Sequence, residues 1–212
     1  MMRNYFKKIT YLFVILCISS ASADDRVSFF RALGVDNVST VNSLLAAGFD
    51  PNTLDEKGQA ALYVALREES PKVVKALLAH PALKADHGNA VGETPLMMAA
   101  LRGNIEAAVD LIGKGAAVNR PGWTPLHYAA SGPRTAMVRL LLDNGAAIEA
   151  GSPNQTTPLM MASRYGTEEV ANLLLARGAS VRARNDQALG AADFARLAGR
   201  DALALKLEQA LR

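Results

Sequence analysis

Apolar residues in this chain fall into two alternating sets. In the first, they sit three or four positions apart: Val73, Val74, Leu77 and Leu78, then Val138, Leu141 and Leu142, then Val170, Leu173 and Leu174. That spacing predicts helices with one buried face. A glycine follows each paired dipeptide: Gly48 after Leu44-Leu45, Gly115 after Leu111-Ile112, Gly145 after Leu141-Leu142 and Gly178 after Leu174-Leu175. Pro81 fills that place after Leu77-Leu78. Glycine there predicts a left-handed helix stop. The second set is small: Ala99-Ala100, Ala129-Ala130 and Ala162-Ser163. Helices faced with alanine let their neighbours approach closely. Each small-residue helix meets a break, at Gly103, at Gly132-Pro133 and at Gly166. The next helix then begins at a residue able to cap it: Asn104, Thr167, or Ser70 with Pro71 just inside.

A second mark keeps the same beat. Thr-Pro-Leu starts at Thr94, Thr124 and Thr157, with worn versions at Ala60-Ala61-Leu62 and Gly190-Ala191-Ala192, so the steps are 34, 30, 33 and 33 residues. Two marks on one period predict a stacked repeat whose unit is two short helices and a loop. One unit cannot bury its own apolar face, so the stack itself forms the core. The loop before Trp123 is about three residues short, and the loop after Leu83 is one longer. The stack is therefore expected to be irregular around the second to fourth units.

The N-terminus breaks the pattern. Arg3, Lys7 and Lys8 precede an apolar run from Ile9 to Ile18, and Ala21-Ser22-Ala23 follows. This order predicts a secretory signal over residues 1–23, cleaved after Ala23. The run is short for a permanent membrane span. Removing it changes the charge picture. The formal charge of +3 comes from 23 basic and 20 acidic residues, and three of the basic ones lie in the signal, leaving 20 against 20. The basic pI therefore gives no reason to expect a nucleic-acid partner. Cys17, the only cysteine, leaves too, which suits an oxidising compartment. With half of its 212 residues hydrophobic, the chain can bury a sizeable core.

Catalytic chemistry finds no footing. No nucleophile elbow, zinc-binding helix, phosphate loop or dinucleotide fingerprint occurs. Glu68-Glu69 and Glu168-Glu169 stand at helix starts, where the helix dipole favours acids. His80 and His87 lie near Asp86 without a third ligand at metal spacing. The pairs Met97-Met98 and Met160-Met161 occupy matching repeat positions, where they read as core filling. The sequence is accordingly read as non-catalytic, with no metal and no cofactor. A haem or metal carrier using the methionine pairs and His127 is the reading of another class.

Thr124-Pro125-Leu126-His127-Tyr128-Ala129, with the later Leu-Leu-x-x-Gly on a 33-residue period, resembles the ankyrin repeat over nearly all of the chain after residue 23. The resemblance implies an all-α solenoid of helix–turn–helix units with projecting β-turns. Six units are expected, at about 25–54, 55–88, 89–118, 119–151, 152–184 and 185–212. Only His127 keeps the motif histidine; Tyr63, Met97, Met160 and Asp193 stand in its place elsewhere. For His127 the resemblance implies a structural hydrogen bond to the loop.

It also implies a concave binding face. The positions that vary for contact in such repeats map here to a partner-binding set of Arg67, Leu101, Arg102, Arg120, Trp123, Arg164 and Tyr165. Tryptophan, tyrosine and arginine are the types most enriched at binding hot spots, and arginine suits a carboxylate-bearing partner. The chain is thus expected to be an exported interaction module, periplasmic in a Gram-negative organism, monomeric, and binding another protein rather than nucleic acid or membrane. Roles compatible with this are an accessory factor for an envelope or oxidative-stress enzyme, an immunity or inhibitor protein, and a host-directed effector.

Overall fold

The structure is a computed structural model and describes residues 23–211. The expected signal segment falls outside the described residues except for Ala23, which stands in the first described helix. Twelve helices are described: α1 (23–34), α2 (Val38–Ala46), α3 (Ala61–Arg67), α4 (Pro71–Ala79), α5 (Pro95–Arg102), α6 (Ile105–Gly113), α7 (Pro125–Ser131), α8 (Thr135–Asp143), α9 (Pro158–Arg164), α10 (Glu168–Ala176), α11 (Ala191–Leu197) and α12 (Asp201–Gln209). They form six pairs, and the only β pairing among the described residues is the single bridge Leu54↔Ala60. The fold is all-α. The chain divides between Ala82 and Leu83 into two compact units, inside the loop that the sequence makes one residue longer.

The first unit holds α1 to α4. Its core gathers Phe29, Leu33, Val41, Leu62, Leu66, Val73 and Leu77, all hidden from solvent. The Phe29 ring lies 5.7 Å from Phe30 and 4.6 Å from Phe49. The expected cap at Ser70 is corrected here. The Ser70 hydroxyl donates instead to the Leu33 carbonyl, back across the unit. The free N–H of Val73 is taken by the Asp36 carboxylate at 2.9 Å. A neighbouring pair thus supplies the acceptor that the helix's own first residue does not.

The second unit stacks α5 to α12. Asn104 and Thr167 cap as expected, accepting from Ala107 and Val170. Pro95, Pro125 and Pro158 open their helices, where no amide donor is missed. The first helices of successive pairs, α5, α7, α9 and α11, pack side by side. Alanine lines the contact: Ala99, Ala100, Ala129, Ala130, Ala162 and Ala195 are buried. The helices come so close that a Cβ on Gly132 would stand 2.8 Å from the Leu101 carbonyl oxygen. The outer helices α6, α8, α10 and α12 bury Leu111, Val138, Leu141, Leu174 and Leu203 against this row.

One lock closes the far end. Nη1 of Arg200 donates to the carbonyls of Ala162, Ser163 and Gly166 at 3.0, 2.8 and 2.9 Å. The Ala162 carbonyl also accepts the Gly166 N–H at 3.0 Å, while those of Ser163 and Gly166 lie where a helix end lacks its own donors. Hydrogen bonds to charged groups each carry about 1.5–3 kcal/mol. Arg200→Met should therefore lower stability by about 2 kcal/mol, with hydrogen exchange speeding first in α11 and α12. Unchanged exchange in those two helices would contradict the lock.

Candidate binding groove

Thr-Pro-Leu places the same side-chain roles in each unit. The residue three after the threonine turns back to the helix start and accepts the threonine's N–H. His127 does so with Nδ1 at 3.2 Å, Met97 and Met160 with sulfur at 3.4 Å. Asp193 does it with a carboxylate oxygen, on the Gly190 N–H, at 2.8 Å. Four residues of three types thus meet one requirement: an acceptor for an N–H that the helix leaves unpaired. Sulfur is the weakest of them.

His127 does a second job. Its Nε2 lies 2.9 Å from the Thr156 carbonyl, which accepts only, so the ring proton sits on Nε2. Both ring nitrogens are therefore engaged, and the residue is fully buried. Burial pushes its pKa below the ordinary value; the bonds to the Thr156 and Ala150 backbone offset this in part. A histidine with a lowered folded pKa is held neutral, so the unfolded chain binds its proton first as pH falls. The folded state then keeps its full stability above about pH 6.5 and loses part of it below, towards the lowered folded value. His127→Met, which copies the neighbouring units, should remove this residue's share of the acid sensitivity. The check is a melting-temperature profile from about pH 7.5 to 4.5, bracketing the ordinary histidine range; equal slopes in both proteins would contradict it.

The loops between units end in small hairpin fingers. In the second unit the fingers close by Asn89 N–H to Glu93 at 2.9 Å, Ser152 to Thr156 at 3.0 Å, and Asn185 to Leu189 at 3.0 Å. Among the described residues, loop 114–124 has no such closure. It is the loop that the sequence makes three residues short. Asn119 ties it to the next repeat, donating to the Gly145 carbonyl at 2.7 Å and accepting from Ala147 at 2.8 Å, much as Asp86 and Glu149 accept from Ala117 and Ser180. Trp123 holds the position that Glu93, Thr156 and Leu189 occupy at the base of the other fingers. Its ring meets His127 edge-on at 5.2 Å and stays 38% exposed.

Beside Trp123 lies an open groove of about 290 Å³, lined by Leu101, Trp123, His127, Tyr128, Ser131, Met161 and Tyr165. These residues come from three consecutive repeats, α5, α7 and α9 with the turns beside them. Tyr165 is 58% exposed, and the Arg164 guanidinium lies 5.3 Å over its ring. The Tyr128 hydroxyl donates to Glu93 at 2.9 Å, and Asn89 holds the other oxygen at 2.8 Å. The mouth is amphipathic: apolar and aromatic walls, with few polar groups. A second concavity, in the first unit, has about 260 Å³ and mixes Arg26, Asp55, Glu56 and Lys57 with Val27 and Phe30.

Of the residues expected to bind a partner, the structure brings Leu101, Trp123 and Tyr165 into this one groove. Arg164 joins them through its ring contact with Tyr165. Arg102 is exposed at the end of α5. Arg120 sits in the fingerless loop, its Nη1 buried without a hydrogen-bond partner among the described residues. Arg67 belongs to the first unit, where it pairs with Glu68 and Gln59. Met161 corrects the reading of both methionine pairs as core. Met97, Met98 and Met160 are buried, but Met161 is half-buried on the groove wall, one residue further round the helix from Met160. Among the described residues, no cluster of three His, Cys, Asp or Glu side chains could hold a metal ion, and no helix is long and apolar enough to cross a membrane.

Comparison with known proteins agrees with the repeat architecture. The family model described as ankyrin repeats, in three copies, matches residues 29–121 and 102–185. The nuclear factor NF-kappa-B p105 subunit of Gallus gallus is 30% identical over 156 residues, 70% of this chain and 16% of that protein. The B-cell lymphoma 3 protein homolog of Mus musculus is 31% identical over 152 residues, 68% of this chain and 34% of that protein. The chain thus spans about a third or less of the length of these relatives. Among solved structures it is similar to a chain in the complex of the Bd0816 predatory endopeptidase from Bdellovibrio bacteriovorus with immunity protein Bd3460. That match has a TM-score of 0.72 and 25% identity, and covers 86% of this chain and 97% of that one.

Proposed function

The chain belongs to the ankyrin-repeat family, a family of protein–protein interaction modules, and on that premise we propose that it is exported and captures a partner protein in the groove beside Trp123. The observation that carries this is the groove itself, apolar and aromatic, open to solvent and assembled from three rigid repeats. Large ring surfaces already fixed in place lose little freedom on binding, so their burial favours affinity. Export, to the periplasm in a Gram-negative organism, is supported by the order of charge, apolar run and Ala-Ser-Ala over residues 1–23. The mode of action is non-covalent.

A second reading concerns what capture does. The likeness to a chain in an endopeptidase–immunity protein complex favours a partner that is a hydrolytic envelope enzyme held inactive. An accessory role, in which the partner enzyme is stabilised, is the other outcome. The test is affinity capture from crosslinked envelope extract with the chain as bait, followed by assay of the captured enzyme with and without it. Inhibition favours the immunity role, and preserved or raised activity favours the accessory role. A chain that captures no protein, or captures the same protein after Tyr165→Ala/Trp123→Ala, would rule out the groove as the binding site.

A further inference from the structure

The groove is not neutral ground. The residues that neighbour its lining in sequence are basic: Arg102 next to Leu101 at the end of α5, Arg120 three residues before Trp123 in the same loop, and Arg164, whose guanidinium lies over the Tyr165 ring. Arg120 carries a buried Nη1 with no hydrogen-bond partner among the described residues. The neighbouring carboxylate, Glu93, is already held by the Tyr128 hydroxyl and the Asn89 amide at 2.9 and 2.8 Å. It is turned inward to its own finger and its neighbour. Trp123, in the loop without a finger closure, stands 38% exposed on the groove wall.

We infer that the occupant is an extended acidic segment of the partner protein, with one apolar side chain seated between Trp123 and Tyr165 and its carboxylates on Arg120 and Arg164. This rests on the interaction-module reading and adds the chemistry of the ligand. A groove of about 290 Å³ suits one anchoring side chain rather than a folded face. Guanidinium groups pair with carboxylates in two-pronged fashion, which selects Asp and Glu over neutral residues. Charge complementarity of this kind also speeds encounter and makes it salt-sensitive.

The test is selection of random peptides displayed on phage against the full chain, with sequencing of the enriched set. The expected consensus is a large apolar residue flanked by Asp or Glu. An enriched peptide, labelled for fluorescence anisotropy, should bind about ten-fold or more weakly to Tyr165→Ala and to Arg120→Gln. It should bind equally to Arg139→Gln, on the exposed side of α8. Raising NaCl from about 50 to 500 mM should weaken it further, as screening shortens the reach of the charges. Enrichment of basic or neutral peptides, acidic peptides indifferent to Tyr165→Ala, or no enrichment would each overturn the inference. The two readings fail separately. If a whole partner protein still binds and is lost with Tyr165→Ala while acidic peptides do not bind, the occupant is wrong and the module reading stands. If the partner ignores the groove variants as well, the groove falls as the binding site and the occupant with it, while capture of a partner elsewhere on the chain still stands.

Discussion

Gly166→Ala should be the most damaging single methyl group in the second unit. A Cβ at this position would stand 2.1 Å from the Ala130 carbonyl oxygen, and 3.0 Å from Cα and 3.1 Å from the carbonyl oxygen of Ala162. All three are backbone atoms, so no side chain can rotate away. The backbone of Gly166 is in an ordinary conformation, which makes the cost one of space rather than of strain. The turn after α9 would have to retreat from α7, opening the row of alanine contacts on both sides. Overpacking of a well-packed core costs typically about 1–3 kcal/mol and sometimes more; with backbone on every side, about 3 kcal/mol is expected. Stability in a repeat array is a sum of units and nearest-neighbour interfaces. Losing the α7–α9 interface should therefore also broaden the urea transition. Gly113→Ala is the control. That residue ends α6 with open space around it, so alanine should be neutral or stabilising by about 0.5 kcal/mol. Equal midpoints for the two variants would show that the close approach of α7 and α9 is not what holds the stack.

The second large effect falls on binding. Replacing both Trp123 and Tyr165 by alanine should weaken partner affinity about 100-fold or more, because central aromatic anchors each contribute about 2 kcal/mol or above and add imperfectly. The fold should survive. Tyr165 is 58% and Trp123 38% exposed, and the main packing interaction removed is the edge-on pair of Trp123 with His127. Such aromatic pairs carry about 0.5–1.5 kcal/mol beyond the area they bury. Circular dichroism should therefore be unchanged and the urea midpoint shifted slightly. A variant that keeps full affinity would place the binding site elsewhere. One that unfolds would be replaced by Tyr165→Ala alone, whose loss of affinity should still exceed about ten-fold.

Much of this architecture is legible in the sequence. The Thr-Pro-Leu and Leu-Leu-x-x-Gly marks set the repeat, and the left-handed glycines Gly48, Gly115, Gly145 and Gly178 stand where the leucine pairs end. What the sequence does not show is who partners whom across units. Ser70 looks like a cap because serine commonly caps, yet Asp36, 37 residues before Val73, takes the Val73 amide. Met97 and Met160 read as volume, while their sulfurs also stand in for the histidine ring as acceptors. One side chain standing in for another by function is invisible to hydropathy. The three missing residues before Trp123 can be counted, but not that this loop lacks a finger closure and carries an exposed indole. Met161 is the same lesson on a smaller scale: one step round a helix separates core from groove.

The central claim is that a partner is held on the row formed by α5, α7 and α9. It is tested most directly by site-specific photo-crosslinking in the complex. A photoreactive amino acid is placed at Tyr165, in the groove, or at Arg139, on the exposed side of α8, and the complex with the captured partner is irradiated. A partner seated in the groove gives a crosslinked adduct from position 165 and none from 139. Crosslinking from 139 with none from 165 would put the partner on the outer helices and contradict the claim.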